Sequence, residues 1–136
     1  VERYSAYSGN YVYNLLGGIE LPLGKGNKTL AFDIKMTLAG GNRYTPVDIS
    51  ASNLKKQAVY HENLAYSKQY KDYSKFDLKI TYRLNQKRAA QMFFINIENV
   101  FSTKNILREV YNPDKGETVF EYQLGLFPYG GYRIEF

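Results

Sequence analysis

Few residues of this chain have the type and spacing that chemistry requires. His61 is the single histidine and stands beside Glu62, with Asp48 upstream and Ser50, Ser52 and Ser67 around it. A serine, a histidine and a carboxylate are the parts of a hydrolytic triad. No nucleophile elbow and no ordered triad pattern accompanies them, so the reading is that the protein is no enzyme and His61 is a solvated loop residue. There is no cysteine, which excludes thiolate metal sites and disulfides. No metal-ligand spacing occurs and no cofactor is implied. Gly24-Lys25-Gly26 lacks the strand–loop–helix context of a phosphate loop and reads as a turn. Arg43, Tyr44, Tyr60, His61, Tyr66 and Tyr70 form a different set, rich in hydrogen-bond donors and aromatic planes. Tyrosine gives large contact area at low entropy cost, and loops on a rigid scaffold are where binding residues gather. These six are candidate substrate-binding residues, set against the plainer reading of a solvated lid.

The elements that must position them read as strands. Leu30, Phe32, Ile34, Met36 and Leu38 alternate with Thr29, Asp33, Lys35 and Thr37, and Tyr11 to Leu23 alternates likewise. Phe76, Leu78, Ile80, Tyr82 and Leu84 stand against Lys75, Asp77, Lys79, Thr81 and Arg83. Strand side chains point to opposite faces with period two. A turn at 24–28 predicts a hairpin with Ile19 opposite Phe32. A turn at 85–88 predicts Ile80 opposite Phe93, Leu78 opposite Ile95 and Phe76 opposite Ile97. The fourth strand, from Ala89, is expected to continue outward through 100–111 with a bulge near Ser102-Thr103. The last runs from near Tyr122 to Phe136, kinked or bulged at Pro128. No helix is expected. Residues 40–72 show no sustained period and form a long loop, since ordinary connections are far shorter.

The alternation sorts charge by face. Asp33, Lys35, Lys75, Asp77, Lys79, Arg83, Glu98, Arg133 and Glu135 share the polar face with Glu20, and the centres of the apolar faces carry no charge. An Arg or Lys facing lipid at the bilayer midplane costs about 2–4 kcal/mol, so this segregation predicts a lipid-facing side and a wet lumenal side. A half-solvated soluble sheet alternates too. Strand length decides between them. The faces run about ten residues, matching the 9–11 that cross a bilayer, where soluble strands average about 5–6. Tyr11, Tyr13, Tyr44, Tyr73 and Tyr132 would form interfacial girdles. The net charge of +5 comes from dispersed basic residues, so no nucleic-acid partner is read from it. The fold class is therefore all-β, an antiparallel transmembrane β-barrel segment of about five strands. Residues 1–136 form the C-terminal portion of a barrel, with a long extracellular loop at about 40–72.

Asn96-Ile97-Glu98-Asn99-Val100-Phe101 resembles the penultimate strand of TonB-dependent outer-membrane transporters, and Gly131-Tyr132-Arg133-Ile134-Glu135-Phe136 their last strand. Gly131, Tyr132, Ile134 and Phe136 also resemble the signal read by the barrel-assembly machinery. Residues 40–46, 65–67 and 70–73 look like the late extracellular loop of Bacteroidetes-type members, and 111–113 with 123–125 like their final loop. The resemblance implies active nutrient uptake across the bacterial outer membrane, with these strands as the last of a larger barrel. It implies as partners the rest of the barrel and plug, TonB through that part, the assembly machinery, the lipid bilayer and a surface lipoprotein. The substrate is open among siderophore, cobalamin, glycan and peptide. A passive porin or adhesin-like barrel is the alternative, and a soluble β-sandwich binding module a third reading. Val1-Glu2-Arg3-Tyr4 is neither an initiator Met nor a signal peptide, so the expectation is a piece of a longer polypeptide, with Val1 on the extracellular side and Phe136 at the periplasmic rim.

Overall fold

The computed structural model describes residues 4–24 and 26–136. The expectations for Val1 and for Lys25 within the first turn lie outside the described residues. The fold is all-β with antiparallel sheets and one short α-helix. The strands are β1 (Val12–Leu23), β2 (Lys28–Ala39), β3 (Arg43–Tyr44), β4 (Lys68–Gln69), β5 (Tyr73–Asn85), β6 (Ala90–Glu98), β7 (Ile106–Asn112), β8 (Glu117–Tyr122) and β9 (Phe127–Glu135), and the helix is α1 (Ile49–Lys55). The chain divides into two compact units. A sheet unit comprises Tyr13–Thr37, Ser74–Thr103 and Leu124–Phe136. A loop unit comprises Leu38–Tyr73, Lys104–Gln123 and the described residues up to Val12.

The sheet unit is a five-stranded sheet in the order β1-β2-β5-β6-β9. It is open, with β1 and β9 at its edges. The first hairpin follows the expected pairing. Thr37 Oγ1 donates to Asn14 Oδ1 at 2.9 Å, and Gly18 lies against Asp33, contacts of the register that sets Ile19 against Phe32. The second hairpin differs. Ile80 pairs with Ile95, Leu78 with Ile97 and Tyr82 with Phe93, two residues from the expected register. The turn is centred on Lys87-Arg88, closed by Asn85 pairing with Ala90 and by Gln86 N–H to Ala89 O at 2.9 Å. A shift of two conserves side-chain parity, so each residue keeps its face. Asn85 N–H donates to Asn27 O at 2.7 Å, which sets both short turns at one end of the sheet.

One row of side chains across β5, β6 and β9 reads Tyr82–Phe93–Tyr132, and the next Ile80–Ile95–Gly130. The rings of Phe93 and Tyr132 meet at 4.7 Å, tilted by 38°. The opposite face carries Arg83–Met92–Arg133 and Thr81–Phe94–Gly131. Gly131 is required there, because a Cβ would stand 2.7 Å from the Phe94 ring. Pro128 neither kinks nor bulges the strand. It pairs in register with Ile97 as the second residue of edge strand β9, where a missing N–H costs little.

The fourth strand does not continue outward. β6 stops at Glu98, where Asn99 turns the chain with φ 51°. Asparagine is among the few residues that tolerate this left-handed conformation. Asn99 is almost wholly buried and all of its polar atoms named here are used. Its N–H donates to Asp77 Oδ1 at 2.9 Å. Its Nδ2 donates to Thr103 O at 2.9 Å and Leu124 O at 3.2 Å, and its Oδ1 accepts from Thr103 N–H at 2.9 Å. The chain then forms a separate hairpin, β7 with β8, and the last strand of the main sheet begins only at Phe127. The expected structureless loop at 40–72 holds β3 paired with β4, a 3-10 turn at Glu62–Leu64 and α1, which begins at Asp48, whose Oδ1 accepts from Ala51 N–H at 2.9 Å. A buried hydrogen bond left unmade costs about 1–3 kcal/mol, and Ala is strained at positive φ. Asn99→Ala is therefore expected to lower the unfolding free energy by about 3 kcal/mol, and Asn99→Gly, which relieves the backbone strain, by less, as read from denaturant unfolding.

Candidate functional site

The loop unit builds a cleft of about 800 Å³. Of the six binding candidates, Arg43, Tyr44, Tyr60, Tyr66 and Tyr70 line it. His61 does not. It stands 3.7 Å from Asp48 through Nδ1, and Ser52 Oγ is engaged with the backbone of Val59, accepting its N–H at 2.9 Å. The sequence reading missed the third wall of the cleft, Leu107, Arg108 and Glu109 of β7, because these residues were expected to extend β6. Only the turn at Asn99 redirects them.

Tyr70 is the centre of this unit. Its ring stacks on Tyr44 at 4.1 Å and 3° and meets Phe120 edge-on at 6.3 Å. Its hydroxyl accepts the Glu109 N–H at 2.8 Å, and its own N–H donates to Asn42 O at 3.0 Å. Gly41 must be glycine here, since a Cβ would come within 2.0 Å of Tyr70 O. Burial first, and then the Glu109 carboxylate, raise the Tyr44 hydroxyl above the ordinary tyrosine range. Burial likewise raises Tyr70, against a lowering contribution from the Glu109 N–H. Arg43 lays its guanidinium 3.6 Å from the Tyr4 ring centroid. Arg43 Nε and Glu109 Oε2 are enclosed and have no hydrogen-bond partner in the protein. Arg108 is held by Glu121 at 2.6 Å, which raises its pKa further. Helix α1 is tied to the β7–β8 hairpin through Asn53, which accepts from Tyr111 Oη at 2.6 Å and donates to Gly116 O at 3.3 Å.

The sheet unit holds the other candidates. Lys75, Asp77, Lys79, Arg83, Glu98, Arg133 and Glu135 share one face by register. Asp33 and Lys35 line a hollow of that same face with Asp77, Lys79 and Glu98. Their charges meet in pairs: Lys75 to Glu98 at 2.6 Å, Arg83 to Glu135 at 3.3 Å and Arg133 to Glu135 at 3.0 Å. Lys79 Nζ lies 5.4 Å from the Phe94 ring centroid. Tyr132 and Ile134 lie on the other face, paired with Phe93 and Gln91. Among the described residues no group of His, Asp and Glu could hold a metal ion, and no helix is long and apolar enough to cross a membrane.

A comparison with protein-family models, curated proteins and solved structures finds no match for this chain.

At the entry to the loop unit, Asp72 accepts from Tyr11 Oη at 2.7 Å and from Gly41 N–H at 3.2 Å. These bonds, the tyrosine's first, hold its carboxyl below the usual aspartate value. A carboxyl depressed in the folded state stabilises that state above its unfolded value, near pH 4, and the contribution is lost as pH falls through the folded value. Tyr11→Phe is expected to move the Asp72 titration, followed by carboxyl carbon NMR, upward toward the ordinary value. An unmoved titration would mean that the bond is not formed.

Proposed function

We propose that these strands are part of an outer-membrane β-barrel and that the barrel is a TonB-dependent importer of a nutrient. The observation that carries this reading is the state of the apolar face of the sheet. Ile95 is 57 % exposed, Tyr132 53 % and Phe93 47 %, in adjoining rows of β6 and β9, and Ile19 of edge strand β1 is 57 % exposed. The one apolar residue of the sheet unit that is buried among those described, Ala31, lines a hollow of the charged face with Glu20 and Arg83. A soluble sheet would bury the apolar face and wet the charged one. A barrel strand turns its apolar side to lipid and its polar side to the lumen.

Strand length and turns agree with a barrel. β1 and β2 have 12 residues and β5 has 13, enough to cross a tilted span of about 9–11. Short turns at one end and long connections elsewhere are the outer-membrane pattern, with the short turns periplasmic. The loop unit, built from the two long connections, is then extracellular, and its cleft is the substrate side. Two open edges are not tolerated in lipid. β1 and β9 therefore pair with further strands, and the barrel-assembly machinery reads the terminal Gly131, Tyr132, Ile134 and Phe136. The importer reading, with plug, TonB and lipoprotein as partners, rests on the resemblance of residues 96–101 and 131–136 to that family.

An antibody against residues 49–64 is expected to label intact cells of the source bacterium and to detect a band in the outer-membrane fraction. That band should shift in mobility on boiling and cross-link to TonB. Recovery in the soluble fraction would contradict the barrel. Outer-membrane recovery without cross-linking would favour a porin.

A further inference from the structure

The cleft of the loop unit has a polarity that its aromatic lining does not require. Two enclosed atoms of opposite character, Arg43 Nε and Glu109 Oε2, have no partner in the protein. An unpaired buried polar atom is costly, more so on a charged group, and calls for an explanation. The remaining charges of the lining leave an acidic excess. Arg108 is neutralised by Glu121 at 2.6 Å, while Glu62 also lines the cleft. Arg43, which lies over the Tyr4 ring, thus shares the lining with two carboxylates, Glu62 and Glu109, and the other base of the lining, Arg108, is already paired. A neutral polyhydroxyl ligand would need neither a guanidinium nor an unpaired carboxylate. Tyr60 and Tyr66 are exposed and offer apolar ring surface with a polar rim.

We infer that the cleft binds short peptides with a free amino terminus. The ammonium goes to Glu109 and Glu62, a peptide carbonyl or terminal carboxylate to Arg43, and an apolar side chain between Tyr60 and Tyr66. Reaching the enclosed atoms takes a rotation of the Glu109 and Arg43 side chains, and the unpaired state of both atoms lowers the cost of that rotation. The ammonium gains charge-assisted hydrogen bonds and a ring face for cation–π contact. This inference rests on the reading of the loop unit as the substrate side.

Isothermal titration calorimetry of the full-length protein in detergent micelles with the tripeptide Ala-Leu-Ala, its N-acetylated form and maltotriose tests it. The free tripeptide is expected to bind and acetylation to weaken binding about tenfold or more, the loss of one charge-assisted bond. Maltotriose should not compete. Glu109→Gln, with its fold checked by circular dichroism, should narrow the difference between the free and acetylated peptides, and Glu62→Gln with Glu109→Gln should abolish it. No peptide binding, equal binding of both peptides by the unaltered chain, or displacement by maltotriose would overturn the inference. The unaltered chain decides even if the variant does not fold. A chain that binds the free peptide but is recovered in the soluble fraction of cells would keep the peptide site and remove the transporter.

Discussion

Everything in the sheet unit depends on one constraint: charge is confined to one face of a sheet whose other face is apolar and uncovered. Lys75 pairs with Glu98, and Arg83 and Arg133 share the carboxylate of Glu135. Partly exposed pairs of this kind contribute little to stability, commonly below about 1 kcal/mol each. Their consequence is location. They keep charge away from the side on which Phe93, Ile95 and Tyr132 lie exposed in adjoining rows. A sheet whose described residues bury almost no apolar side chain leaves its apolar face and its β1 and β9 edges open to contacts from outside.

The loop unit is held by a different means. It has little apolar core, with Val47 buried among its described residues, and it relies on directed polar contacts and on rings. Tyr70 combines a stack, an edge contact and two hydrogen bonds. Asn53 fastens α1 to the β7–β8 hairpin. Such a unit is specified by hydrogen-bond geometry more than by burial.

That difference explains what could be read from the sequence. The faces of the sheet were legible because parity needs only alternation. The misjudged turn at Lys87-Arg88 moved the register by two and left every face intact. The helix at 49–55 was not legible, since seven residues carry too little periodicity, although Asp48 is a common N-cap residue. The redirection at Asn99 was hidden for a physical reason. Its signal is a single asparagine whose four hydrogen bonds depend on Asp77, Thr103 and Leu124, and none of these is marked in sequence. Because that turn was missed, β7 was read as an extension of β6, and Glu109 was absent from the candidate site. Arg43, Tyr44, Tyr60, Tyr66 and Tyr70, grouped by composition alone, line one cleft, while His61, grouped with them by proximity in sequence, stands beside Asp48.

The central claim concerns what each face of the sheet touches, and the absence of native cysteine allows a direct measurement. Single cysteines placed in turn at Phe93, Phe94, Ile95, Asn96, Ile97 and Glu98 of the protein in its native membrane would carry nitroxide spin labels. Their collision rates with oxygen, which concentrates in lipid, and with a water-soluble nickel chelate would be compared residue by residue. The account predicts a period of two, with labels at 93, 95 and 97 favouring oxygen and labels at 94, 96 and 98 favouring the chelate. Labels at 93, 95 and 97 shielded from both reagents would place a protein core against that face and contradict the membrane sheet.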